Sequence, residues 1–332
     1  MVQAVSGRAD RSLRVGVVGV GVMGSNHARV LNGLPGVRLV GVADPDIGQR
    51  SFVTRALDCG GVDDLDSLIA LGVDAITIAA PTHLHHKLAL TCIDRGIHVL
   101  VEKPIASSVE EGQSIIRAAN RAGVSLMVGH VERFNPAVQA IKDALRGEDI
   151  LSIAITRVGP FPPRMSNVGV VIDLAVHDID LIRWFTESEI IEVQPQLSSA
   201  VAEREDIALL QFRTASGVLA HINTNWLTPF KARTIHVATR KKYVMGDLLT
   251  RQVTECFGFQ PDGSYSMRHL SVGHDEPLRA ELLAFIKAIR NGKRPAVTGE
   301  EAVASLGIAI RCLEGRVPAA ASQRKAPRRV AV

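Results

Sequence analysis

Lys103 stands between Glu102 and Pro104 at the end of the apolar run Ile97-His98-Val99-Leu100-Val101, and farther along Asp173 and His177 are four residues apart. Their side chains suit proton and charge transfer at an oxygen. A lysine can bind an oxygen that gains negative charge, or act itself as a base. An imidazole can take a hydroxyl proton near neutral pH. An aspartate four residues before it shares its helical face, and can orient the ring or hold a neighbouring hydroxyl. Each group also has an ordinary structural counterpart, since loop lysines are mostly solvated and polar i,i+4 pairs are common on helices. Pro104 disfavours the helical region for Lys103, so the lysine should extend past its strand, at the edge where open α/β sheets bind ligands. The peptide bond before Pro104 can be cis or trans.

What lies beside that edge is indicated by Gly19-Val20-Gly21-Val22-Met23-Gly24, a G-x-G-x-x-G run between an apolar strand and a helical stretch. The three glycines allow a tight turn, close approach of a pyrophosphate and close helix packing, Val22 and Met23 lie in the turn between them, and the N-terminus of the helix that follows favours an anion. Asp44 lies 20 residues after Gly24, where a carboxylate can accept from ribose hydroxyls. Pro45 and Asp46 follow it, with no arginine to receive a 2′-phosphate. NAD is therefore favoured over NADP.

The elements that must position these groups alternate up to about residue 130. Strands are expected over 14–20, 38–43, 75–79, 97–101 and 125–128, with helices over 25–34, 47–57, 84–94 and 109–122 between them. That order predicts a doubly wound parallel sheet covered on both faces. The pattern then changes: a helix over 135–146, a strand over 151–158, a proline-rich loop and a helix over 173–185. Alternating runs over 190–201, 206–213, 218–226 and 234–238 predict a large open, mostly antiparallel sheet. Helices over 276–290 and 300–313 close the chain, and one of them can pack back on the first unit. The expected division is a flexible N-terminus 1–12, a nucleotide-binding domain 13–130, a substrate-binding and oligomerisation domain 131–318, and a basic flexible tail 319–332.

Composition narrows the function. The chain has 332 residues, 46% hydrophobic and 22% charged, and no apolar run long enough to span a bilayer. The formal net charge is +4, and Arg324, Lys325, Arg328 and Arg329 alone carry four positive charges, so +4 minus +4 leaves a neutral body with no footprint for nucleic acid. Residues 1–12 do not resemble a secretory signal, and a cytoplasmic location is the expectation. Cys59, Cys92, Cys256 and Cys312 form no C-x-x-C pair. His83, His85 and His86 do not share one helical face, so no metal is expected. There is no phosphate loop of the G-x-x-x-x-G-K-[ST] form, and neither tyrosine precedes a lysine by four.

The glycine run, Pro81-Thr82-His83-Leu84-His85, Glu102-Lys103-Pro104 and Asp173-Leu174-Ala175-Val176-His177 together resemble, in order and spacing, the Gfo/Idh/MocA oxidoreductases, over about residues 13–315. The resemblance implies an N-terminal Rossmann domain, a C-terminal α/β domain and NAD-dependent oxidation of a sugar, cyclitol or sugar nucleotide. It also implies a dimer or tetramer assembled through the open sheet. Lys103, Asp173 and His177 match the family's catalytic positions, with His177 preferred as base and Lys103 the alternative. Pro81, Thr82, His85, Glu102 and Lys103 itself fall near the cofactor, and the segment Gly129-His130-Val131-Glu132-Arg133-Phe134-Asn135-Pro136 joins the domains. That segment, Arg157 to Arg164 and Asp173 to Asp180 look like the family members that oxidise C3 of UDP-N-acetylglucosamine. Arg133, Arg157 and Arg164 would then suit a nucleotide diphosphate, because guanidinium groups grip phosphate through two hydrogen bonds. The competing expectations are an inositol or free-sugar dehydrogenase and, in another class, a non-catalytic NAD-binding regulatory protein.

Overall fold

The computed structural model describes residues 12–162 and 168–315. Arg164 and the tail 319–332 lie outside the described residues, as does nearly all of 1–12. The first half contains β1 (Leu13–Val18), α1 (Val22–Asn32), β2 (Val37–Ala43), α2 (Ile47–Leu57), β3 (Gly60–Val62), α3 (Leu65–Ala70), β4 (Ala75–Ile78), α4 (Thr82–Asp94), β5 (His98–Glu102), α5 (Val109–Ala122) and β6 (Leu126–Gly129). All six strands are parallel, in the order β3-β2-β1-β4-β5-β6. β4, and even the edge strand β6, are buried at every position, as expected of a parallel sheet covered on both faces. The order reverses between β1 and β4, which opens a crevice at the carboxyl ends of those strands. β3 and α3 were not anticipated, because Gly60-Gly61 conceals a three-residue strand and α3 is six residues long.

The second half adds α6 (Pro136–Ala144), β7 (Ile150–Pro160), α7 (Val176–Thr186), β8 (Ile190–Ser198), β9 (Ile207–Thr214), β10 (Leu219–Asn225), β11 (Leu227–Thr239), β12 (Lys242–Asp247), β13 (Gln252–Phe257), β14 (Ser266–Leu270), α8 (Pro277–Asn291) and α9 (Gly299–Glu314). The eight-stranded order is β14-β13-β12-β11-β7-β10-β9-β8, antiparallel except where β7 lies parallel to β10. In β9 alternate residues are buried, and Leu209 and Leu219 are exposed on the open face. No helix among the described residues is long and apolar enough to cross a membrane.

The hydrophobic cores do not divide where a cut at residue 130 would place them. Leu278, Leu282, Phe285 and Ile286 of α8 belong to the first core, as do Ala302, Val303 and Leu306 of α9. The next turn of α9, with Ile308, Ala309 and Cys312, is buried in the second core. One helix therefore straddles both units, and the C-terminal segment clamps the sheet of the first.

Candidate active site

The glycine turn is fitted to its neighbours. A Cβ on Gly24 would lie 1.7 Å from the carbonyl oxygen of Gly19, and Gly19 itself has φ +80° with Ala79 and Ala80 against it. Side chains are excluded at both places, and the turn packs on the end of β4. At Gly21 an added Cβ would meet only Gln49 Oε1, at 3.8 Å, so a ligand has room to approach that backbone. α2, α3 and α5 are capped by Asp46, Asp64 and Ser108. α1 and α4, which begin at the crevice behind Gly21 and Pro81, have no side-chain cap, so their first-turn N–H groups remain available to an anion. Val22 is 73% exposed and Met23 also lies open at that helix start. Asp44 accepts from Val20 N–H at 2.7 Å and Asp46 N–H at 2.8 Å, one on each oxygen. Each oxygen keeps a second lone pair for a ribose hydroxyl. The set fits a dinucleotide, and Thr82 opens α4 on the far side of the crevice.

Lys103 follows the last residue of β5, and its peptide bond to Pro104 is cis. Its Nζ reaches across to the second unit and donates to the Asp173 carbonyl oxygen at 2.7 Å and to Oδ1 at 3.2 Å. Asp173 lies in a π-helical turn, Val171–Ala175, that precedes α7, so the helix expected over 173–185 starts earlier and with a wider first turn. The anticipated Asp173–His177 contact is absent among the described residues: Asp173 faces Lys103, while His177 Nδ1 is buried without a hydrogen-bond partner. His177 packs edge-on against His130 instead, with ring centroids 6.0 Å apart and planes at 86°. His130 is the polar side chain that the interdomain segment sends into the site.

Burial first, then the positive charges of Lys103 and Arg157, push the His177 pKa well below the ordinary histidine value. Its imidazole is therefore neutral at neutral pH and ready to receive a proton. Burial likewise lowers His130, despite the opposing pull of Asp180.

Several expected ligands have other work. Arg157 is buried, with Nε and Nη2 on Asp178 at 2.7–3.0 Å and Nη1 on Glu132 at 2.8 Å. Burial opposes its charge, but Asp178 and Glu132 more than offset that and raise its pKa. Arg133 holds Asp180 through Nε at 2.6 Å and Nη2 at 2.7 Å, and Glu301 through Nη1 at 2.9 Å. Neither guanidinium is free for a diphosphate. A desolvated arginine takes whatever carboxylates the fold brings to it, and these two join β7, the interdomain segment, α7 and α9.

Glu102 and His85 are also supports. The Glu102 carboxylate is buried against His27 Nε2 at 2.9 Å and accepts from Lys103 N–H at 3.1 Å. It adjoins Glu281, whose carboxyl is pushed well above the usual range by burial and by Glu102. Thus Glu102 holds the lysine backbone rather than a cofactor. His85 is 1% exposed and spans the Pro104 and Ala80 carbonyls at 2.9 and 2.8 Å, bracing the two loops that border the crevice.

One residue absent from the sequence reading belongs to the site. Arg233 of β11 is paired opposite Arg157 of β7 and bonds Glu132 Oε1 at 3.1 Å, and its charge contributes to depressing His177. Its strand was expected to begin only at 234, and a basic residue in a β-branched run carries no motif that could have marked it.

Comparison with known proteins identifies the family. Residues 13–130 match the family described as an oxidoreductase family with an NAD-binding Rossmann fold, and residues 151–244 match the GFO/IDH/MocA C-terminal domain. The chain is 30% identical to UDP-N-acetylglucosamine 3-dehydrogenase of Acidithiobacillus ferrooxidans, over 71% of this chain and 74% of that one. It is 28% identical to scyllo-inositol 2-dehydrogenase (NAD(+)) of Bacillus subtilis, over 91% and 93% of the two chains. A solved structure of the Acidithiobacillus enzyme superposes with a TM-score of 0.85 at 26% identity, covering 91% of this chain and 97% of that one.

Proposed function

Since the chain belongs to the Gfo/Idh/MocA oxidoreductase family, whose members here are NAD-binding sugar and polyol dehydrogenases, we propose that it oxidises a ring hydroxyl of a sugar nucleotide. The substrate in this reading is UDP-N-acetylglucosamine, at C3, or a related UDP-sugar. The observation that carries the oxidation is the meeting, across the two units, of Lys103 on Asp173 with the buried, unprotonated His177; the choice of a UDP-sugar is supported by the 30% identity to the Acidithiobacillus enzyme.

NAD, when bound along Gly19 to Gly24 and Asp44, supplies the hydride acceptor. The chain's own groups handle the other half of the reaction. His177 takes the hydroxyl proton as the C–H bond gives up its hydride and a C=O bond forms. Lys103 donates to the reacting oxygen and stabilises its developing negative charge. Asp173 holds the ammonium in place and can accept from a neighbouring hydroxyl. Pro81 and Thr82 border the nicotinamide side, and the open face of the large sheet joins copies of the chain into a dimer or tetramer, which sedimentation of the purified protein checks.

The deciding experiment incubates the protein with NAD and, separately, UDP-N-acetylglucosamine, its uronic acid, myo-inositol and scyllo-inositol, following NADH and the mass of the product. A sugar nucleotide lighter by two hydrogens is the expected product. Mass analysis is needed because NADH that stays bound and is reused leaves little net absorbance. Turnover of an inositol with none of either sugar nucleotide would remove the substrate reading and leave a polyol dehydrogenase.

The same assay across pH tests the base. Because the base must be unprotonated and its pKa is depressed, activity should hold as pH falls through the ordinary histidine value of about 6.5 and decline only below it. His177→Asn should lower kcat by about 10²–10⁴-fold and abolish that acid limb. A limb that survives the substitution would move the base to Lys103.

A further inference from the structure

Three arginines approach the contact between α7 and the second sheet, and their side chains differ in exposure: Arg133 4%, Arg157 3% and Arg233 34%. The first two are committed to carboxylates through all three guanidinium nitrogens. The Arg233 guanidinium has one hydrogen bond among the described residues, from Nη1 to Glu132. A guanidinium offers about five N–H donors, so about four are left for another partner. Glu132 is already held by Arg157 at the shorter distance of 2.8 Å, which makes Arg233 the second cation on one carboxylate. Pairing opposite Arg157 puts the two arginines on the same face of the sheet. From there the charge of Arg233 acts on both Asp173 and His177, the groups assigned to the reaction. Burial, followed by the repulsion of Arg157, lowers the Arg233 pKa against the opposing pull of Glu132, Asp178 and Asp173.

We infer that Arg233 binds an anionic group of the substrate, so that the site selects a sugar bearing phosphate or carboxylate near the oxidised carbon over a neutral cyclitol. The inference rests on the dehydrogenase reading of this site, and it names the charge class of the substrate that the fold alone leaves open. Guanidinium geometry suits both groups, because each presents two oxygens to parallel N–H bonds. Removing Arg233 leaves Glu132 on Arg157, so the fold keeps its buried charge paired.

The test uses the full chain with saturating NAD and measures binding by titration calorimetry. The probes are UDP, N-acetylglucosamine 1-phosphate, UDP-N-acetylglucosamine, its uronic acid and myo-inositol. The wild-type protein should bind an anionic probe more tightly than inositol. Arg233→Met should weaken that binding by about 10- to 100-fold, as for loss of a hydrogen bond to a charged group, and leave inositol affinity unchanged. Arg233→Lys should recover part of it. A loss confined to the uronic acid places a ring carboxylate at Arg233, and a loss shared with the 1-phosphate places a phosphate there. Equal losses for anionic probes and inositol, or no wild-type preference for an anion, would overturn the inference. An Arg233-dependent anion preference without turnover of UDP-N-acetylglucosamine would retain the inference and remove only the named substrate.

Discussion

Replacing Lys103 with methionine is expected to lower kcat by about 10²–10³-fold, the size seen when one donor to a developing oxyanion is lost. NAD affinity should fall far less than kcat, because the predicted cofactor contacts on the glycine turn, Asp44, Pro81 and Thr82 are left in place. Lys103→Arg should restore little: a planar guanidinium cannot occupy the position of a compact ammonium that donates to both the carbonyl and the carboxylate of Asp173. Single-turnover kinetics with cofactor binding measured in parallel separates these effects. A Lys103→Met protein retaining more than about a tenth of kcat would remove the lysine from the chemistry.

The second large effect is on stability. Arg157→Met strands Asp178, which is fully buried and hydrogen-bonded on both oxygens by that one side chain. Breaking a buried ion pair from one side costs about 3–5 kcal/mol, so the melting temperature should fall by roughly 10 °C. The doubly substituted Arg157→Met, Asp178→Leu protein should recover much of the loss, because no charge is then left alone in an apolar setting. Thermal unfolding of the two variants decides the matter. A shift smaller than about 2 °C in the single variant would show that Asp178 finds another partner or simply takes up a proton.

These two residues mark the divide between what could be read from the chain and what could not. Lys103 was legible because its neighbours are local: an apolar strand before it, a proline after it, and a glycine turn one crossover away. Helices 47–57 and 109–122 form over the residues that their periodicity predicted, and in the structure Asp46 and Ser108 cap their starts and a left-handed residue ends each one. β14 was not, because four of its five residues are exposed and an edge strand with no buried face has no apolar alternation to read. Arg157 was misread for another reason. Its type and its place in a proline-rich segment matched a phosphate ligand, and nothing nearby in the chain revealed that Asp178 would consume its donors.

The sequence by itself determined the Rossmann half, the glycine cradle and NAD as cofactor, and through its motifs it proposed the three groups Lys103, Asp173 and His177. Each of these depends on short-range sterics, periodicity or a motif carried within a few turns. Only the tertiary structure decided which charges are partners. Arg133 meets Glu301 across 168 positions, Lys103 meets Asp173 across 70, and Arg233 shares Glu132 across 101. Desolvation sets those pairings, because a buried charge is stable only beside the opposite charge that folding brings to it. It left Arg133 and Arg157 as internal ties and Arg233 as the arginine with donors to spare at the site.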